Sequence, residues 1–250
     1  VAGQEGAPGE GAAVAAPTLV VLSGGEVGAG YVRQLLRAVD AGRLRTRQIR
    51  IVDRNPACLA SRYLGRAGVG LETEDWSGWL DRNLDRLDPE DRLVPYHFAP
   101  HLFRDWIAGQ LRARGARVEN EPGPPPLGLP FEATTRTGER ALSYASWVCP
   151  TFCIEPALCP HTRGPKDWSL AGDLEARPGD VDDQAVFRCL HFVYGVGAVR
   201  VGDLHSARDR FLAGLRGTRR YLVATASHCH ALASVMRATL PGETGGFTLA

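Results

Sequence analysis

The chain lacks what would commit it to a membrane or to a polyanion. No apolar run approaches the roughly 18 residues of a spanning helix, and residues 19–22 are far too few for the core of a signal peptide. Neither sign of charge dominates: 29 Lys and Arg face 28 Asp and Glu, a net charge of +1. That balance gives no pull toward nucleic acid or an anionic surface, so the expected partner is a small molecule, with a homodimer left open. There is one methionine, and arginine far outnumbers lysine, which reflects coding bias rather than function. Six cysteines in 250 residues are too few for a disulfide scaffold. Three crowd together and three stand apart, a pattern of ligands rather than bridges, so the expected compartment is a reducing cytoplasm. There is no internal repeat.

What is present divides unevenly. Residues 1–17 are Ala, Gly, Pro and Glu without an apolar period, and read as a disordered tail. Residues 18–241 read as a single α/β domain, with 118–183 carrying a hairpin and a Cys-rich loop. Residues 242–250 read as a loose end.

The run T-L-V-V-L at 18–22 fits a strand buried on both faces, as in a parallel sheet. A turn with Ser23, Gly24, Gly25 and Gly28 follows. Val32, Leu35, Leu36 and Val39 then fall at helical spacing, and a second strand at 48–52 ends on Asp53. Glycines at such a turn let the backbone approach an anion at a helix N-terminus, where free N–H groups favour negative charge. Strand, glycine turn, helix, strand and terminal acid together resemble the Rossmann-like NAD(P)-binding superfamily, with Ser23 standing where the fingerprint has its first glycine. The resemblance implies an α/β, Rossmann-like three-layer sandwich with a mostly parallel sheet, into which the hairpin and Cys-rich loop are inserted. It also implies NAD or NADP bound by Ser23, Gly24, Gly25, Gly28 and Asp53. Asp53 leans toward NAD, while Arg54 beside it keeps NADP open. S-adenosylmethionine, in a methyltransferase-like protein, is a further alternative.

Farther on, the pattern predicts helices over 76–87, 100–114 and 204–215, and strands at 92–96, 185–194, 196–201 and 220–225. Residues 131–135 and 141–144 predict a hairpin, and the Ala-rich stretch 231–240 predicts a final helix capped by Ser227. Cys58, Cys189 and His191 read as packing residues, His205 as a helix-start residue, and Trp76 and Trp79 as core.

The chemistry concentrates at 149–161, where Cys149, Cys153 and Cys159 fall within eleven residues and His161 follows. Prolines at 150, 156 and 160 forbid a helix, so the segment is a loop. Thiolate and imidazole suit zinc, and cysteine followed by proline also occurs around iron–sulfur clusters. Cys149, Cys153 and Cys159 would need a fourth ligand from His161 or from the turn of His228, Cys229 and His230, and Cys229 would complete a four-cysteine set for a cluster. Lys166 and Trp168 are placed to cap the loop, and Glu155 inside it is either a supporting base or a solvated charge. His97, His228 and His230 are candidate proton carriers. If every strand is parallel, all these groups share one sheet edge. The functional expectation is a dinucleotide-binding, metal-containing oxidoreductase. The alternative is a nucleotide-, redox- or metal-sensing module without turnover.

Overall fold

The computed structural model describes residues 13–95 and 101–241. Its first half builds β1 (Val14–Ala15), β2 (Thr18–Val21), α1 (Glu26–Asp40), β3 (Leu44–Arg45), β4 (Gln48–Asp53), β5 (Val69–Thr73), α2 (Trp76–Asn83), β6 (Arg92–Val94) and α3 (Leu102–Ala113). The second half continues through β7 (Arg117–Glu121), β8 (Phe131–Thr134), β9 (Arg140–Ser143), α4 (Leu170–Ala176), β10 (Asp183–Arg188) and β11 (Leu190–Val193). It closes with β12 (Val196–Arg200), α5 (Val201–Gly214), β13 (Thr218–Ala226) and β14 (His230–Thr239).

These elements form two six-stranded sheets and a two-stranded parallel pair, β1 with β3. The first runs β11-β12-β6-β2-β4-β5. Within it β5, β4, β2 and β6 are parallel neighbours, whereas β12 is antiparallel to β6 and β11 to β12. The second runs β10-β13-β14-β9-β8, with β7 also paired to β14. Only β10 and β13 are parallel there. Burial sorts the side chains into layers. Leu19, Val21, Ile49 and Ile51 meet Val32, Leu35 and Leu36 of α1 on the outer face of the first sheet. Val20 and Val52 look the other way, toward Trp79 and Leu80 of α2 and Phe103, Trp106 and Ile107 of α3. The same central layer, with Phe211 of α5, packs on Tyr221, Val223 and Met236 of the second sheet. Leu222, Ala224, Ala233 and Val235 cover the last face against Leu170 and Leu174 of α4.

This architecture corrects the expected fold class. A Rossmann-like three-layer sandwich needs one mostly parallel sheet with helices on both faces. Here two mixed sheets enclose a shared helical layer, and the antiparallel pairings of β11, β12 and β14 break the pattern that the resemblance requires. The run 18–22, its turn, α1 and β4 stand where the sequence placed them. The stretch 231–240 does not: it is strand β14, not a helix. Its alanines favour a helix by propensity, but β13 on one side and β7 and β9 on the other supply ladder partners along its length. The chain leaves the second sheet at Ser143, at the end of a strand antiparallel to β14. The shared parallel edge therefore does not exist. Of the stretch read as a tail, Val14 and Ala15 pair with β3, and Ala16 is fully buried. Among the described residues no helix is long and apolar enough to cross a membrane.

Candidate functional site

The site grows out of one register. The β13–β14 hairpin places His228 and Cys229 in its turn, closed by Ser227: its backbone N–H donates to the His230 carbonyl at 2.8 Å, and its Oγ accepts from His230 N at 3.2 Å. The predicted helix cap at Ser227 is thus a hairpin cap. Antiparallel pairing sets Ser143, the last residue of β9, opposite His230, and Tyr144 N donates to the Cys229 carbonyl at 3.0 Å. The Cys-rich loop leaves β9 at this point. Cys149 and Cys229 are 80 positions apart in sequence and neighbours in space because of that ladder.

Residues 149–161 form an irregular loop held by local bonds. Cys153 N donates to the Pro150 carbonyl at 3.1 Å, Cys159 N to Gly164 at 2.9 Å, and Lys166 N to Ala157 at 2.9 Å. Two anchors tie it to the first sheet and the helix α1 that covers it. The Phe152 ring packs edge-on against Tyr31, with centroids 5.6 Å apart, over Gly30, whose missing Cβ would lie 2.5 Å from Phe152 Cζ. His191 Nδ1 donates to the Cys153 carbonyl at 2.6 Å. One anchor ties it to the second sheet: Glu155 Oε1 accepts from His228 N at 3.0 Å. Glu155 does this with φ +49, in the left-handed region. The loop therefore bridges the ends of both sheets, next to Cys189, where the chain crosses from β10 to β11.

Six free thiols are present, and four of them gather here. Burial pushes the Cys149 thiol up, and the neighbouring thiols of Cys153 and Cys159 add to this. The Cys159 thiol is drawn down instead, chiefly by the backbone N–H of Thr162, helped by that of His161. Cys229 is raised by burial, against the indole Nε1 of Trp168, which donates to its Sγ at 3.4 Å. The charge of Lys166 pulls Cys149, Cys159 and Cys229 alike toward the thiolate. Lys166 is the single lysine of the chain. Its Nζ is buried and has no hydrogen-bond partner among the described residues, and the same holds for His228 Nε2. Burial lowers both His228 and His230, and the Glu155 charge opposes it. Cys189 is pushed up to about 12 by burial and by Glu155.

The remaining predicted site residues divide. His161 is exposed and stacks on Trp147, centroids 4.2 Å apart, at the rim of the cluster. His97 lies outside the described residues. Ser23, Gly24, Gly25, Gly28 and Asp53 stand together as expected, and most of their polar groups serve one another. Gly24 N donates to Asp53 Oδ2 at 2.7 Å, Asn55 N to Asp53 Oδ1 at 2.9 Å, and Gly25 N to Ser23 Oγ at 3.2 Å. A Cβ on Gly24 would lie 2.2 Å from Cys58 Sγ, and one on Gly28 would lie 1.9 Å from the Ser23 carbonyl oxygen. Gly24 and Gly28 are needed for the close approach of chain to chain. In the sequence Lys166 reads only as a cap and His191 only as packing, and nothing marks Ser143. The lone lysine in an arginine-biased chain was the available signal. Among the described residues no three His, Cys, Asp or Glu side chains close to single-ion distance as they stand. The four thiols share a neighbourhood rather than a finished coordination shell.

A family model described as "Uncharacterized protein, C-terminal domain" matches residues 103–239, more than half of the chain. No curated protein and no solved structure matches. The Cys-rich loop and the His-Cys-His hairpin fall inside the matched region, and the glycine turn falls outside it. Together with the mixed sheets, this match overturns the resemblance to the NAD(P)-binding superfamily.

Proposed function

We propose, for a chain that belongs to the AF_1314_C family of uncharacterized proteins, that Cys149, Cys153, Cys159 and Cys229 bind a metal and that the protein is an oxidoreductase acting on a small molecule there. The observation that carries this reading is Lys166. An amine buried without a partner costs several kcal/mol when charged, unless a counter-charge meets it. Four thiolates on zinc or on an iron–sulfur cluster leave a net negative charge at the place where Lys166 sits. The N–H donors aimed at Cys159 and Cys229 suit bound thiolates for the same reason. An iron–sulfur cluster would supply a one-electron relay, whereas zinc held by all four thiolates would be a closed, structural centre. The chain's own residues do the rest. Glu155 holds the hairpin to the loop, Phe152 seals the loop on α1, and Trp168 shields Cys229.

A second reading, a redox or metal sensor without turnover, draws support from the six free thiols and from their spacing short of a closed shell. Anaerobic purification tests both. Iron with acid-labile sulfide, or stoichiometric zinc, lost in Cys149→Ser and Cys229→Ser, supports the metal centre; iron supports the oxidoreductase, and zinc makes the centre structural. Protein free of both, whose thiols instead form a reversible disulfide, supports the sensor.

A further inference from the structure

His230 and Ser143 make an arrangement that the metal reading does not use. Ser143 Oγ has one proton and three neighbours. It lies 2.9 Å from the Ala145 carbonyl oxygen, 2.8 Å from Ala145 N and 3.0 Å from His230 Nδ1. The amide can only donate to the hydroxyl, and the carbonyl can only accept from it. The single hydroxyl proton is thereby assigned to the Ala145 carbonyl, because otherwise two oxygens with lone pairs would face each other at 2.9 Å. The third contact then needs a proton from the ring, so His230 Nδ1 is the donor and Ser143 Oγ the acceptor. In the neutral ring this leaves the lone pair on Nε2. His230 keeps part of its surface open to solvent and packs the rest against its surroundings, while its neighbours Cys229 and Ser143 are buried. The charged and titratable groups that act on it come from three other segments: Glu155 and Lys166 from the loop and the stretch after it, and His191 from β11. The His191 ring is fixed in the same sense, with its Nδ1 donating to the Cys153 carbonyl.

We propose that Ser143 is a positioning residue that fixes His230 with its proton on Nδ1 and presents Nε2 as the hydrogen-bond acceptor for a small molecule bearing a hydroxyl or amine, bound beside Cys229. This deepens the reading above and rests on it for the place of the site, but the tautomer exists with or without a metal. A backbone-fixed serine decides which face of the imidazole meets the ligand, so the ligand must bring a donor. A ligand offering only acceptors at that point is rejected.

Long-range proton–nitrogen NMR of the full chain, labelled with 15N-histidine, reduced and stripped of metal by chelator, tests this at mildly alkaline pH. The expected wild-type spectrum has His230 with a protonated Nδ1 and a bare Nε2. Ser143→Ala removes the acceptor and shifts the population toward Nε2–H, the form that a free side chain prefers. Ser143→Thr keeps the hydroxyl and restores the wild-type tautomer. A wild-type His230 with its proton on Nε2 overturns the proposal, whatever the variants do. Zinc added to the stripped protein as a probe separates this from the metal reading. If zinc binds the thiols and leaves the His230 nitrogens unshifted, the acceptor role stands. If zinc coordinates His230 Nε2, the residue is a ligand and the acceptor role is lost. If zinc fails to bind while the tautomer holds, the metal reading alone falls.

Discussion

His101 offers the most quantitative test of the packing between the two sheets. It lies at the start of α3, 3% exposed, with Nδ1 2.9 Å from Ser234 Oγ and Nε2 2.9 Å from Thr225 Oγ1. One ring nitrogen donates and the other accepts, which satisfies a neutral imidazole and leaves no counter-charge in contact. Burial, with the Arg104 charge behind it, lowers its pKa from 6.5 to about 3, and Glu139 offsets only part of this. The sign follows from which state holds the proton. Below pH 6.5 the unfolded chain takes up a proton that the folded chain refuses, so stability is complete above about pH 6.5 and is lost as pH falls toward 3. From pH 7 to pH 4 the loss is about 2.5 pH units of differential protonation, on the order of 3 kcal/mol. Carboxylates elsewhere add their own acid dependence, so the informative quantity is a difference. Urea unfolding across that range should show a drop for the wild type that exceeds the drop for His101→Gln by roughly this amount. A His101 ring resonance that titrates near pH 6.5 in the folded protein, or equal slopes for the two proteins, would refute the reasoning.

Other expectations follow from the same geometry. Arg104 and Glu139 form a buried pair at 2.9 Å with side chains 5% and 3% exposed, and Glu139→Ala leaves the guanidinium only Asp105, 2.8 Å away, so it should cost up to about 3 kcal/mol in chemical denaturation. Gly195 has φ +74, and a Cβ there would lie 2.3 Å from the Phe152 carbonyl oxygen; Gly195→Ala should destabilise by about 1–3 kcal/mol and speed alkylation of Cys153 relative to Cys58, as read by mass spectrometry. Lys166→Met should lower metal retention against a chelator by tenfold or more, about 1.4 kcal/mol. Lys166→Arg, which keeps the charge, should retain more than Lys166→Met, and equal retention by all three proteins would remove Lys166 from the account.

The parts of the fold that were legible in the sequence are those where one pattern admits one structure. A five-residue apolar run, a glycine turn and a helical stripe specified β2, α1 and β4, because a strand buried on both faces has no polar alternation to confuse it. The hairpin of β8 and β9 was legible for a similar reason, with Thr137 and Gly138 at its turn. What escaped was decided by partners remote in sequence. Ala231, Ala233 and Ala238 favour a helix locally, and only the ladders from β13, β7 and β9 make them a strand. β5 and β7 are short, and Glu72, Glu119 and Glu121 blur their alternation. The proximity of the Cys-rich loop to the His-Cys-His turn was expected from a parallel edge. It arises instead from antiparallel pairing of Ser143 with His230. Glu155 could not be assigned from sequence because its role depends on a backbone N–H 73 positions away.

The central claim is that four thiols from two distant segments hold a metal against the one lysine of the chain. Metal and sulfide analysis of the full chain, purified without oxygen or chelator, tests it most directly. The account predicts stoichiometric zinc, or iron with acid-labile sulfide, in the wild type and its loss in both Cys149→Ser and Cys229→Ser. A wild type that carries neither, or a Cys229→Ser variant that keeps its full load, would contradict it.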